Sequence, residues 1–223
     1  MRNLRVCLLL LLVLMVSACL PRRIPGGAAP EVSLQQQVLA STFDQPEGWQ
    51  TINDPGVYLQ VEDGVYRTIF SLPGRFGIGL HNNSYRDTVI EAKVAFTSAY
   101  NNAIVGLMCR ANPVLYGYGY YFLISGDGAF SIRRGDADGV VALVPWQNGA
   151  KLNPNGQRNT LRVVCADDSL ALYVNGEYMG SAQDATYQEG HTGIVVGLPV
   201  DVTEEAIVSV EYDDLLVWLA TRN

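Results

Sequence analysis

The stretch Val89-Ile90-Glu91-Ala92-Lys93-Val94 decides the fold class of this chain. Apolar and charged residues alternate along it, so that Glu91 and Lys93 share one face of an extended strand. Such a strand buries its apolar face against a second layer and leaves its charged face in water. The stretch therefore predicts a β-sheet protein with packed layers.

Similar short runs rich in Val, Ile, Tyr and Thr lie on both sides of this stretch, separated by turn signals such as Asp63-Gly64 and Asn175-Gly176. No run has convincing helical periodicity, although residues 203–206 could make one turn. Many short strands at close spacing predict an all-β, two-sheet antiparallel β-sandwich. The predicted strands are 57–61, 65–70, 88–96, 103–110, 118–125, 130–133, 140–144, 160–166, 170–174, 192–198 and 207–219, the last broken near Asp213-Asp214.

The N-terminal segment has the pattern of a secretory signal peptide. Arg2 and Arg5 make its start positive, and residues 6–16 form an apolar run of eleven residues. A permanent transmembrane helix needs roughly 20 residues, so this run is too short to span a bilayer. The small pair Ser17-Ala18 follows it, where a signal peptidase requires small side chains. The pattern therefore predicts export of the mature chain.

Cys19 comes directly after that pair, and Val16-Ser17-Ala18-Cys19 resembles the lipobox of bacterial lipoproteins. The resemblance implies a signal peptide over residues 1–18 and a mature N-terminus at Cys19 that carries diacylglycerol. Acyl chains would then hold the protein on the extracytoplasmic side of the cell membrane. The alternative is an ordinary secretory peptide in which the cysteine is accidental.

Residues 19–40 are rich in Pro and Gly and contain Gln35-Gln36-Gln37 with few large apolar side chains. They predict a flexible tether that leads to a single domain over residues 41–223. Within that domain, Cys109 and Cys165 each end an apolar strand-like run. Two remaining cysteines in an exported chain predict a disulfide, and the alternative is two buried free thiols on adjacent strands.

The charge balance limits the classes of partner. The formal net charge of the whole chain is −7, and it becomes −9 when Arg2 and Arg5 leave with residues 1–18. Nucleic-acid binding needs Lys and Arg to neutralise phosphates, so we expect no nucleic-acid partner. Anionic lipid headgroups are excluded on the same ground, and membrane attachment would depend on the lipid at Cys19.

Several motifs resemble, in their order along residues 42–219, the concanavalin-like jelly roll of the laminin-G and pentraxin type. The motifs are Thr42-Phe43-Asp44-Gln45-Pro46-Glu47-Gly48-Trp49, Val61-Glu62-Asp63-Gly64-Val65-Tyr66-Arg67, Tyr120-Tyr121-Phe122-Leu123-Ile124-Ser125-Gly126-Asp127-Gly128, Leu172-Tyr173-Val174-Asn175-Gly176 and Gly193-Ile194-Val195-Val196-Gly197. The resemblance implies a two-sheet sandwich of a kind that hosts enzymes, lectins and adhesion modules.

The enzyme activity that this resemblance suggests is glycoside hydrolysis, which needs two carboxylates across a sugar. Retaining hydrolases of the fold carry Glu-x-Asp-x-x-Glu on one strand, and the sequence lacks this spacing. Glu211, Asp213 and Asp214 come closest but fit an exposed strand edge, while His81 and His191 have no supporting motif. We therefore expect the domain not to be an enzyme, with glycoside hydrolase as a remaining alternative.

Aromatic residues give the main indication of binding. Tyr116, Tyr118 and Tyr120 alternate with Gly117 and Gly119, so an extended chain would place all three rings on one face. Such a row could stack on sugar rings or hold an extended peptide. Alternatively, the tyrosines simply tile a face of the sandwich. A second candidate platform is Trp146.

Acidic turn residues raise the question of a metal. Asp127, Asp136 and Asp138 lie in turn regions, and Ca²⁺ prefers carboxylate and carbonyl oxygens from loops. The resemblance to laminin-G modules also implies a calcium site at the rim. However, Asp-Gly is common in hairpin turns without any metal. We expect no cofactor, with calcium as the alternative.

Together these observations predict a lipoprotein anchored outside the cytoplasm that presents a non-catalytic binding module. Its ligand would be a glycan or another envelope or extracellular molecule. The alternative is a structural or docking subunit of a cell-surface protein complex, which an exposed apolar patch of several hundred Å² would favour.

Overall fold

The computed structural model describes residues 27–46, 48–100, 102–202 and 206–223, and these residues form strands and no helix. The predicted signal peptide (1–18), Cys19 and residues 203–205 of the predicted turn lie outside the described residues. The strands are β1 (Val32–Ser41), β2 (Ile52–Asp54), β3 (Val57–Glu62), β4 (Val65–Phe70), β5 (Phe76–Tyr85), β6 (Thr88–Phe96), β7 (Ile104–Ala111), β8 (Gly119–Ser125), β9 (Ala129–Asp136), β10 (Gly139–Asn148), β11 (Arg158–Ala166), β12 (Ser169–Val174), β13 (Glu177–Gln183), β14 (Gly190–Gly197) and β15 (Val208–Arg222).

The strands pair antiparallel in two sheets, which confirms the predicted all-β sandwich. The nine-stranded sheet runs β13-β12-β11-β6-β15-β4-β3-β2, with β1 paired to β15. The six-stranded sheet runs β10-β9-β8-β7-β14-β5. The alternating stretch from Val89 to Val94 lies in β6, between β11 and β15, at the centre of the larger sheet.

The core lies between the sheets and follows from the alternation of each strand. Ile90 and Val94 of β6 face Phe122 and Ile124 of β8 within one buried cluster. Tyr212 of β15 is fully buried in that cluster, and its hydroxyl crosses to the six-stranded sheet. There it accepts from the Gly106 N–H at 3.1 Å and donates to the Val195 carbonyl at 2.6 Å. Burial of the tyrosine is therefore matched by hydrogen bonds at its polar end.

A disulfide joins Cys109 of β7 to Cys165 of β11, with their Cα atoms 6.6 Å apart, which confirms the predicted pair. Because β7 and β11 belong to different sheets, the bond holds the sandwich together across its core. The neighbouring Arg110 has a side chain only 1% exposed and donates to Asp87 at 2.8 Å. It also donates to the Asp167 carbonyl at 2.8 Å, so this corner is closed by both a covalent and a polar link.

The predicted tether is wrong for residues 32–40, because they lie in β1 and pair along the C-terminal half of β15. Polar side chains such as Gln36 sit on an exposed edge, where a strand needs backbone pairing but few apolar contacts. The predicted break near Asp213-Asp214 is a bulge within one continuous β15, with Asp214 at a φ of 47°. Among the described residues no helix is long and apolar enough to cross a membrane.

Candidate functional site

The candidate site lies on the outer face of the six-stranded sheet. Along β8, Tyr120 and Phe122 point into the core, so the alternating Tyr121 and Leu123 point outward. These outward residues are nevertheless buried, in a second apolar cluster with Met108. The segment 112–118 covers part of that cluster, and further along the same face the sheet is open and forms a groove.

The groove has a volume of about 640 Å³, within the size range of small-molecule sites. We call it the Trp146 groove. Its apolar floor includes Phe76 and Ile104, and its polar lining comes from Asn102, Asp127, Arg133 and Asp201. An apolar surface with a few polar groups is the usual composition of a small-ligand site.

Trp146 and Arg133 form the wall of the groove on β10 and β9. The guanidinium carbon of Arg133 lies 5.4 Å from the centroid of the Trp146 ring, in cation–π contact. Arg133 Nε donates to Ser131 Oγ at 3.0 Å, and Ser131 Oγ donates to the Val144 carbonyl at 2.8 Å. This chain of contacts holds the arginine, while the indole remains 36% exposed and open to a ligand.

Burial lowers the pKa of Arg133, because the half-buried guanidinium has lost part of its hydration. No carboxylate among the described residues forms an ion pair with it. The groove therefore contains a fixed positive charge whose hydration is incomplete and which no neighbouring side chain neutralises.

Two carboxylates also line the groove, and both are exposed. Asp127 lies in the turn between β8 and β9, where its Oδ1 accepts from the Ala129 N–H at 3.1 Å. Asp201 lies in the loop after β14. Carboxylates can accept hydrogen bonds from sugar hydroxyls and can transfer protons. The groove thus combines an aromatic platform, a cation and two possible acid–base groups.

The predicted tyrosine row is wrong as a single surface. Gly117 and Gly119 have φ values of 86° and 137°, so the chain turns between the tyrosines instead of running extended. Tyr120 is buried in the core and donates to Asp184 Oδ1 at 2.6 Å. Burial, followed by the hydrogen bond to Asp184, raises the pKa of Tyr120 to about 12.

The other two tyrosines lie on the covering segment. Tyr116 is 65% exposed, and its hydroxyl donates to the Phe76 carbonyl at 3.0 Å. Tyr116 and the half-buried Tyr118 line a cavity of only about 40 Å³, too small for a sugar ring. Of the four predicted aromatic ligand contacts, only Trp146 lines the groove.

The three predicted calcium ligands do not come together. Asp127 precedes β9, whereas Asp136 and Asp138 lie at the far end of that eight-residue strand, roughly 25 Å away. Asp136 is instead bound to Arg134 at 2.9 Å, and its Oδ1 accepts from the Asp138 N–H at 2.9 Å. In the described part of the chain, no three His, Cys, Asp or Glu side chains are grouped to hold a metal ion.

Sequence reasoning missed Arg133, Asn102 and Asp201 as site residues. Arg133-Arg134 matches no binding motif in the sequence. Alternation along the strand could have separated the two arginines, because neighbouring residues of a strand point to opposite faces of the sheet and so have different surroundings. Asn102 and Asp201 come from separate loops, and no local pattern links them.

Solved structures of similar architecture place the chain among jelly-roll domains. A carbohydrate-binding module, CBM66 from Bacillus subtilis, is 14% identical with a TM-score of 0.59 and covers 77% of this chain and 96% of that one. A Bacillus licheniformis β-glucanase is 13% identical with a TM-score of 0.59, covering 81% and 97%. A Bacillus subtilis protein of unknown function with a galectin-like fold is 12% identical with a TM-score of 0.63, covering 86% and 100%. At sequence identities this low, the structural similarity shows a shared fold.

Residues 40–202 match the model of the 3-keto-alpha-glucoside-1,2-lyase-like domain, and the chain belongs to that family. The comparison with curated proteins found no match. The chain is thus a jelly-roll domain of the kind found in carbohydrate-binding modules and glycoside hydrolases. The prediction that the domain is not an enzyme is wrong, because its family is named for a lyase. The missing Glu-x-Asp-x-x-Glu spacing was informative about one type of hydrolase only.

Proposed function

We propose that this domain binds a saccharide in the Trp146 groove and cleaves it there. The observation that carries the proposal is the Trp146 indole, held against Arg133 and still open to the groove. The apolar faces of sugar rings pack well on such an aromatic surface. Asn102, Asp127 and Asp201 then offer hydrogen bonds to the ring hydroxyls.

The name of the family describes the chemistry we propose. In a 1,2-elimination from a 3-keto-α-glucoside, the keto group makes the C2 proton acidic. A base takes that proton, the C1–O bond to the aglycone breaks, and a C1=C2 double bond forms. The leaving oxygen then gains a proton. Asp127 and Asp201 are the groove carboxylates available for these two proton transfers, and we assign the transfers to this pair.

A pair of tryptophan variants tests saccharide binding. Trp146→Ala should weaken binding at least tenfold, about 1.4 kcal/mol, because it removes the stacking surface. Trp218→Ala is the matched control, since Trp218 packs on the outer face of the opposite sheet. Binding is measured by calorimetry with saccharides first identified on a glycan array, and a thermal melt confirms folding. Equal affinity of both variants and the parent would exclude the Trp146 groove.

The cleavage step has its own test. The domain is incubated with 3-keto-α-glucosides, and NMR follows the appearance of the C1=C2 product. Asp127→Asn and Asp201→Asn should each lower turnover about 100-fold or more, within the usual contribution of a general acid or base. Saccharide binding in these variants should persist. Unchanged turnover in both variants would overturn the assignment of the proton transfers.

We further propose that the protein is a lipoprotein, with residues 1–18 as its signal peptide and Cys19 as the lipidated N-terminus. The Cys109–Cys165 disulfide supports export, since such bonds persist in oxidising compartments. Cys19→Ser should prevent labelling with radioactive palmitate and should release the chain from the membrane fraction or leave it as a precursor. A processed, membrane-retained Cys19→Ser chain would overturn the lipid anchor.

A further inference from the structure

Two half-buried arginines, Arg133 and Arg162, have no carboxylate partner among the described residues, and of the two Arg133 is the one in cation–π contact with an indole in a groove. Arg67 contacts Glu62 at 2.7 Å, Arg110 contacts Asp87 at 2.8 Å, and Arg134 contacts Asp184 at 2.6 Å. Arg133 forms no such pair with any described residue, although it is half-buried beneath Trp146. Burying a charge without a partner is costly, so an uncompensated cation in a groove indicates that a ligand supplies the anion.

The groove's own acids do not fill this role. Asp127 and Asp201 line the same groove, yet neither forms an ion pair with Arg133. Asp127 already uses one oxygen in its turn. Burial lowers the pKa of Arg133. The positive charge is therefore not paired with the acids that share its groove.

The local geometry suits a planar anion. Nε of Arg133 is engaged with Ser131, and the indole of Trp146 covers the guanidinium. These contacts restrict the side chain and fix the plane of the guanidinium. A fixed guanidinium binds carboxylates through paired, parallel hydrogen bonds, which a lysine could not reproduce.

We propose that the 3-keto-α-glucoside bound in the Trp146 groove carries a uronic acid as its aglycone, with the carboxylate of that unit on Arg133 and its ring on Trp146. This inference rests on the proposed function and adds the substrate class. The chain's net charge of −7 repels anions at long range, so the preference must come from this local contact. A neutral sugar would leave the cation uncompensated.

The test compares each uronate saccharide with its methyl ester, which removes the carboxylate charge and keeps the sugar ring. Oligomers of glucuronate, galacturonate and mannuronate are compared with their methyl esters, and sulfated galactans provide a non-planar anion. The parent protein should bind at least one uronate oligomer at least tenfold more tightly than its ester. Arg133→Gln should remove that preference while ester binding persists, and Arg133→Lys should restore only part of it.

Arg162→Gln is the matched control, because it makes the same change in net charge on the opposite sheet. It should leave the uronate preference unchanged. Equal binding of acid and ester, an equal effect of the two Gln variants, or preference for the sulfated probe would each overturn the uronate proposal. In those cases, Trp146-dependent binding of neutral sugars would still support the proposed function. Binding of no saccharide at all would overturn both.

Discussion

Two adjacent arginines on β9 serve two different regions of the molecule. Arg134 lies in a network at one end of the sandwich, where Asp184 accepts from Arg134 at 2.6 Å and from the buried Tyr120 at 2.6 Å. Arg133 points to the opposite face of the same strand, into the Trp146 groove, and has no carboxylate partner among the described residues. The network pairs its arginine with carboxylates of the fold, whereas the groove leaves its arginine unpaired.

The difference shows what each region contributes. The Asp184 network links β8 and β9 of one sheet to the segment after β13 of the other, so its hydrogen bonds hold the sheets together. The groove leaves a cation, two carboxylates and an indole available, at some cost in stability. Substitutions in the Asp184 network should therefore lower the free energy of unfolding, whereas substitutions in the Trp146 groove should lower ligand affinity.

The largest expected contrast is between two aspartates. Asp184→Ala should lower the free energy of unfolding by about 2–3 kcal/mol, because it leaves Arg134 and Tyr120 without a main partner. Asp127→Ala, the same change in the groove, should alter it by less than about 0.5 kcal/mol. Urea denaturation measures both values. Similar losses of unfolding free energy for the two variants would show that the Asp184 network and the Trp146 groove do not differ in their contribution to stability.

The adjacent arginines provide a closer comparison. Arg134→Gln should lower the free energy of unfolding by about 1–2 kcal/mol, since the side chain contacts both Asp136 and Asp184. Arg133→Gln should change it by less than about 0.5 kcal/mol, because the lost stacking on Trp146 is offset by relief of a desolvated charge. The measurement is again urea denaturation at neutral pH. A larger loss for Arg133→Gln would assign that residue a structural role.

The smallest expected effect is the loss of stability at low pH that depends on Asp184. Burial alone would raise the pKa of Asp184, but hydrogen bonds from Tyr120, Thr186 and Arg134 outweigh it and lower the pKa. A lowered native pKa stabilises the fold above the unfolded value, and that stability is lost as the pH falls through the native value. Between pH 6 and pH 3, the free energy of unfolding should therefore fall further for the parent than for Asp184→Asn. If the free energy of unfolding depended on pH in the same way for the parent and for Asp184→Asn, the ionised form of Asp184 would not stabilise the fold.

Much of the fold could be predicted because its signals are local. The runs at Val65–Phe70 and Thr88–Phe96 match β4 and β6 to the residue, since alternation and turn chemistry set both ends. The disulfide followed from the number of cysteines left in an exported chain. β1 could not be found this way, because its polar residues become a strand only through pairing with the distant β15.

The site was less predictable because it is assembled from separate segments. Trp146 was predicted as a second candidate platform, and it does line the groove, from β10. The tyrosine row failed because Gly117 and Gly119 turn the chain, which composition alone does not show. Arg133 could not be predicted as a site residue, because its proposed role depends on the absence of a carboxylate partner. That absence is a property of three-dimensional packing.

Under the proposed lipid anchor, the course of the chain before β1 bears on which way the groove would face. Tyr178, on the outer surface of the nine-stranded sheet, donates to the carbonyl of Gly27 at 3.2 Å, so the chain enters on that side. With the proposed lipid at Cys19 in the membrane, the eight peptide units to Gly27 allow a clearance of about 28 Å at most. A connection this short favours an orientation in which the nine-stranded sheet lies nearer the lipid and the Trp146 groove, on the opposite sheet, opens toward the surrounding medium. A saccharide would reach it by diffusion from that medium without first meeting the bilayer.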